Sequence, residues 1–118
     1  MAKFLIVDDS AMALKSLERH LVDQGHEVAG QGANGKEAIE LAGQVKPDAI
    51  ILDIIMPEMD GISALKEISK LYPNIPVSMA TSVEKEATED ECRALGAKYF
   101  LKKPFTKESV EDMVKALF

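Results

Sequence analysis

Four apolar residues in a row, Ala49-Ile50-Ile51-Leu52, run without a polar break and stop at Asp53. A strand with one face in water alternates apolar and polar side chains. A run apolar on both faces therefore belongs to a central parallel strand covered on both sides. The cover has to be helical, and helical patterning surrounds the run. Residues 4–7 read as a buried strand, and Ser10 caps a helix carrying Leu14, Leu17 and Leu21 at helical spacing, stopped by Gly25. Residues 26–31 form a short second strand, Asn34-Gly35 opens a helix through Gln44, and Pro47-Asp48 turns into the central run. Asp60 caps a third helix with Ile62, Leu65, Ile68 and Leu71 on one face, ended by Pro73-Asn74. Residues 75–80 are a fourth strand, and 84–95 a helix with a thin apolar stripe ended by Gly96. Residues 98–101 are a fifth strand, and Thr106 caps a last helix bearing Val110, Met113, Val114 and Leu117.

Five β–α pairs in this order predict an α/β fold, with a parallel sheet, right-handed crossovers and helices on both faces. The 118 residues suit one domain over 1–118, long enough for a single core and too short for two. A net charge of −6 argues against a nucleic-acid binder, which needs clustered Lys and Arg to displace counterions. The single cysteine, Cys92, excludes an internal disulfide and a cysteine zinc cage, and reads as a small helix residue. The apolar stretch at residues 4–7 is too short for a signal peptide or a membrane span, and Asp8 ends it. A cytoplasmic protein with no membrane contact is the expectation.

Ligands of such a sheet bind beyond the carboxyl ends of its strands. The first strand is followed by Asp8 and Asp9, the third ends on Asp53, the fourth on Thr81 and the fifth on Lys102-Lys103. Taken singly, most have plain explanations. Asp8, Asp9 and Ser10 are good helix caps, Thr81 alone would read as another, and a lone lysine is usually a solvated charge. Asp53 has no adjacent helix to cap. A carboxylate in that apolar setting must be paired, metal-bound or protonated. Together the set supports phosphoryl transfer onto Asp53. Oxygen ligands of high negative charge suit Mg2+. Thr81 and Lys103 can bind the remaining phosphoryl oxygens. A carboxylate is already ionised at neutral pH, so no general base is needed, and His20 and His26 read as structural or surface residues.

With those residues in place, the whole chain resembles a response-regulator receiver domain of the stand-alone chemotaxis type. The likeness rests on Val7-Asp8-Asp9-Ser10, residues 53–61, Ala80-Thr81-Ser82 and Lys103-Pro104-Phe105. It implies a flavodoxin-like doubly wound (βα)5 fold of strand order 2-1-3-4-5, of which chemotaxis receivers are a standard instance. It implies Asp53 as phosphoacceptor, and Asp8, Asp9, Asp53 itself and the Ile55 backbone carbonyl as Mg2+ ligands, with Asp9 engaged more directly than Asp8. Thr81 and Lys103 are implied as phosphoryl binders, Lys103-Pro104 as a cis bond and Phe100 as a switch aromatic. Without the resemblance, Phe100 reads as core packing. Two side chains flanking the route of water to the acyl phosphate, Ile55 and Val83, are apolar, so slow self-dephosphorylation is expected.

The implied function is a signalling switch, not an enzyme. A sensor histidine kinase loads it, and the fourth helix, fifth strand and fifth helix present a face to a downstream protein target. A monomer, or a weak dimer on activation, is expected; as the chain ends with the fifth helix, it either acts through a separate protein or is a piece of a longer one. The competing enzyme reading is a metal-dependent aspartyl-phosphate phosphatase. Its haloacid dehalogenase type wants a second acid two residues after the nucleophile, where this chain has Ile55. A flavin mononucleotide carrier is disfavoured by Asp8-Asp9, which would repel the cofactor phosphate.

Overall fold

Alternate residues along each strand point to opposite sides of a sheet, and here both sides are covered. A computed structural model of the chain describes residues 1–82 and 85–118. In chain order it contains β1 (Lys3–Val7), α1 (Ala11–Asp23), β2 (Glu27–Gly32), α2 (Gly35–Val45) and β3 (Ala49–Asp53). There follow α3 (Gly61–Leu71), β4 (Val77–Thr81), α4 (Glu86–Ala94), β5 (Tyr99–Lys102) and α5 (Lys107–Leu117). The strands form one parallel sheet of order β2-β1-β3-β4-β5, the flavodoxin-like order that the sequence motifs imply. All of β3 is buried, as its unbroken apolar run requires.

One face of the sheet sends Leu5, Val7, Ile50, Leu52, Val77 and Met79 against Ala38 and Ala42 of α2, Leu65 and Ile68 of α3, and Cys92 of α4. The other sends Phe4, Ile6, Ile51 and Leu101 against Leu17 and Leu21 of α1 and Val110, Met113 and Leu117 of α5. Each fully buried aliphatic side chain stabilises the fold by about 1.5–3 kcal/mol, so these two layers dominate the favourable side of folding.

Four helices begin on side-chain caps. The Ala13 N–H donates to Ser10 Oγ at 3.2 Å, Glu37 to Asn34 Oδ1 at 2.9 Å, and Ser63 to Asp60 Oδ1 at 2.8 Å. The Ser109 N–H donates to Thr106 Oγ1 at 3.0 Å, and Ser109 Oγ accepts the Thr106 N–H in return. Each cap contributes about 1 kcal/mol. Helix α4 is the exception. Its N-cap Lys85 makes no side-chain cap bond, and Cys92 is its one fully buried residue.

The boundaries differ from the apolar pattern at several strand ends: β4 starts two residues later than expected and β5 one residue later. Strands β3, β4 and β5 each run one residue past the last apolar position, to Asp53, Thr81 and Lys102. Parallel pairing is made by backbone groups and ignores side-chain polarity: Asp53 pairs with Ala80, and Thr81 with Lys102. Strand β2 starts and ends one residue later than expected, and Glu84, expected to open α4, lies outside the described residues. Among the described residues no helix is long and apolar enough to cross a membrane.

Candidate functional site

Because the polar residues close their strands, the sheet itself delivers them to one edge. Asp8 follows β1, and its N–H donates to the Gly32 carbonyl of β2 at 3.0 Å. Its side chain is buried, with Oδ1 accepting the Ser10 N–H at 2.9 Å. Asp53 ends β3 and is 6% exposed, whereas Asp9 is an exposed residue. Carboxylate oxygens of Asp8, Asp9 and Asp53 all lie within 4.8 Å of one another. Lys103 reaches in from the far side of the sheet. Its N–H donates to the Thr81 carbonyl at 2.8 Å, and its Nζ lies 2.7 Å from Asp8 Oδ2 and 3.3 Å from Asp53 Oδ1. The Lys103-Pro104 bond is cis.

The electrostatics follow from that packing. Burial pushes the Asp53 carboxyl up from 3.8 to about 6, the Asp8 carboxylate pushes in the same direction, and Lys103 holds it back. Burial also works against the charge on Lys103. Its hydrogen bond to Asp8 and the charges of Asp53 and Asp8 outweigh that, holding the ammonium above its ordinary range. One ammonium thus serves two buried carboxylates, and the pocket is short of positive charge. A hard cation at the meeting point of Asp8, Asp9 and Asp53 fits both the all-oxygen donor set and the charge deficit.

Thr81, buried at the end of β4, lines two recesses. One, of about 250 Å³, runs beneath Ile55, Ile62 and Lys85. The other, of about 270 Å³, lies toward Phe100, Glu89 and Arg93. Phe100 is half-buried on β5, with the Arg93 guanidinium of α4 4.8 Å from its ring centroid. Ile55 is 75% exposed at the mouth of the pocket, while Val83 lies outside the described residues. His20 and His26 lie away from the site, and His26 Nδ1 accepts the Ala2 N–H at 3.1 Å. The buried Cys92 thiol is pushed up by burial, as befits an inert packing residue. Sequence patterning does not disclose the tie between the β2–α2 turn and the loop after β3. There the Gly35 N–H donates to the Met59 carbonyl at 2.8 Å.

Residues 4–115 match the family described as the response regulator receiver domain. The chain is 42% identical over 110 residues to the chemotaxis protein CheY of Thermotoga maritima, covering 93% of this chain and 92% of that protein. It is 45% identical over 104 residues to a protein-glutamate methylesterase/protein-glutamine glutaminase of Archaeoglobus fulgidus, covering 86% of this chain and 30% of that protein. Among solved structures, it superposes with a TM-score of 0.95 on a chain of a CheX-CheY-BeF3-Mg2+ complex from Borrelia burgdorferi. The two are 34% identical, over 98% of this chain and 88% of that one.

Proposed function

The chain belongs to the response regulator receiver family, and from that premise we propose that it is a signalling switch phosphorylated on Asp53. The observation that carries this reading is the convergence of Asp8, Asp9 and Asp53 oxygens within 4.8 Å, with Lys103 bridging Asp8 and Asp53. The donor is the phosphohistidine of a sensor histidine kinase. A carboxylate oxygen of Asp53 attacks phosphorus, the P–N bond breaks, and its electron pair leaves on the imidazole. Asp8, Asp9 and the Ile55 backbone carbonyl would hold Mg2+, which supplies positive charge to the pocket and to the equatorial oxygens of the loose transition state. The similar CheX-CheY complex also contains Mg2+.

Lys103 starts on the carboxylates and passes to a phosphoryl oxygen as charge moves there. The Thr81 hydroxyl takes another oxygen. Because Thr81 also lines the recess beside Phe100, its movement opens space for that ring and alters the face formed by α4, β5 and α5. A downstream protein, in a chemotaxis pathway as for the CheY relatives, reads that face. Nothing among the relatives supports the phosphatase reading, and Ile55 offers no second acid.

Acetyl phosphate, with and without Mg2+, tests this directly by intact-mass measurement. The parent should gain one phosphoryl group only when Mg2+ is present, and Asp53→Asn should gain none. Labelling that persists in the variant, or that ignores magnesium, would overturn the assignment.

A further inference from the structure

The loop from β3 to α3, residues 54–60, is fastened separately at its neck and at its tip. At the neck, the Gly61 N–H donates to the Ile54 carbonyl at 2.8 Å. At the tip, the fastening comes from the β2–α2 turn. The Gly35 N–H donates to the Met59 carbonyl at 2.8 Å, an approach that only glycine permits. A Cβ on Gly35 would sit 2.7 Å from that oxygen and 2.9 Å from the Asp60 carbonyl. Beside it, Asn34 is 8% exposed and its whole polar side chain is engaged. Its Oδ1 caps α2, and its Nδ2 lies 3.4 Å from both Glu37 Oε2 and Glu58 Oε2, one N–H available to each. Glu37 is fixed in turn, since its Oε1 accepts the Ala33 N–H at 3.0 Å.

Glu58 itself has a left-handed backbone, with φ 65°. A residue with a Cβ holds that conformation only where its surroundings over-determine it. The Asn34 amide on its carboxylate and the Gly35 bond to the next residue are such surroundings. The same loop begins one residue after Asp53 and carries Ile55. A backbone carbonyl cannot find a cation by changing rotamer, so its position is whatever the loop imposes.

We propose that Asn34 is a positioning residue for the magnesium pocket, its amide holding Glu58 and thereby the loop that presents the Ile55 carbonyl. This rests on the reading of Asp53 and its neighbours as a magnesium-dependent acceptor site. Ligand-orienting partners of this kind commonly tune metal affinity without touching the ion.

Asn34→Ser separates positioning from capping, because serine still accepts the Glu37 N–H but has no amide for Glu58. Glu58→Ala against Glu58→Gln separates the hydrogen bond from the charge, since both remove the charge and only Gln keeps an acceptor. Mg2+ affinity of the unphosphorylated protein is read by titration of the amide NMR shifts of residues 53–61, with thermal unfolding as a check on α2. Asn34→Ser and Glu58→Ala should each bind Mg2+ about threefold to tenfold more weakly. Glu58→Gln should stay within about twofold of the parent, and the Asn34→Ser/Glu58→Ala double variant should be no weaker than the worse single one. Parental Mg2+ affinity in Asn34→Ser overturns the proposal, as do effects of the two single variants that simply multiply. If the parent binds Mg2+ and accepts phosphate while Asn34→Ser changes nothing, positioning alone falls. If the parent does neither, the acceptor-site reading falls and positioning with it.

Discussion

The two ends of the sheet are built to opposite rules. At the amino ends of the strands, polar groups close on one another. The Ala2 N–H donates to His26 Nδ1 at 3.1 Å, the Glu27 N–H to the Ala2 carbonyl at 2.9 Å, and the Lys3 N–H to Asp48 Oδ2 at 2.8 Å. Phe4 packs edge-on against both His26 and Phe118. At the carboxyl ends, Asp8 and Asp53 are buried with one ammonium between them, and Asp53 rises to about 6. The first end closes its polar groups on one another, whereas the second leaves two buried carboxylates to share one ammonium. Stability and function are thereby separated by the length of a strand, and substitutions at the two ends should move them in opposite directions.

The largest effect belongs to the satisfied end. Phe4 is fully buried, and Phe4→Ala should lower unfolding free energy by about 3–5 kcal/mol while the folded fraction still accepts phosphate on Asp53. Denaturant titration and labelling on one sample would check both halves. A variant that is as stable as the parent, or folded but unlabelled, would break the separation.

Asp53→Asn should do the reverse. A rise from 3.8 to about 6 corresponds to roughly 3 kcal/mol at 1.36 kcal/mol per unit. Solvent reaching the pocket mouth reduces this to about 1–2 kcal/mol. Because the folded value is raised, protonated Asp53 favours the native state below about 3.8, and that advantage is lost as pH rises through about 6. In metal-free buffer at pH 7.5 the variant should therefore be more stable than the parent by that amount. The gap should close near pH 4 and shrink when Mg2+ is added. Equal stability at both pH values would mean that the pocket is not short of positive charge.

Much of this contrast is legible in the sequence. The helices announce themselves through Ser10, Asn34, Asp60 and Thr106, each of which forms its cap. Asp53 stands out because an acid after an apolar run has no local reason to be there. What is not legible depends on tertiary geometry. The bond from Asn34 to Glu58 spans 24 residues, and no local period encodes it. The seating of Arg93 over Phe100 joins α4 to β5 in the same way. Lys103 is visible as a charge after a strand, but its division between Asp8 and Asp53 depends on a rotamer.

Ile55 offers a finer test at the open end. Its side chain is apolar and 75% exposed, and on the proposed reading it offers no group that could orient water toward a phosphoryl group on Asp53. Ile55→Asn places a hydrogen-bonding group there. One such bond in the hydrolytic transition state is worth about 0.5–1.5 kcal/mol, so the phosphorylated lifetime should shorten by about twofold to tenfold. Decay of the labelled protein after removal of acetyl phosphate measures it. An unchanged lifetime would move control of hydrolysis away from this side chain.

The smallest effect should come from the histidine contact at the satisfied end. The Ala2 N–H donates to His26 Nδ1, which therefore carries no proton. Burial, then the positive charge of the terminal amine, hold the imidazole below its ordinary 6.5. Asp48 and Lys98, the residues just before β3 and β5 respectively, line the same cavity as His26 and carry opposite charges. A folded value below the unfolded one means stability that is present above about 6.5 and lost as pH falls through the lower folded value. His26→Asn keeps an acceptor and cannot titrate, so its melting temperature should fall less than the parent's between pH 7.5 and 5.5. Since much of the ring is solvated, the difference should be only about one or two degrees. Identical pH profiles for parent and variant would show that protonation leaves the Ala2 bond untouched, and would make the amino end insensitive to pH as well as complete.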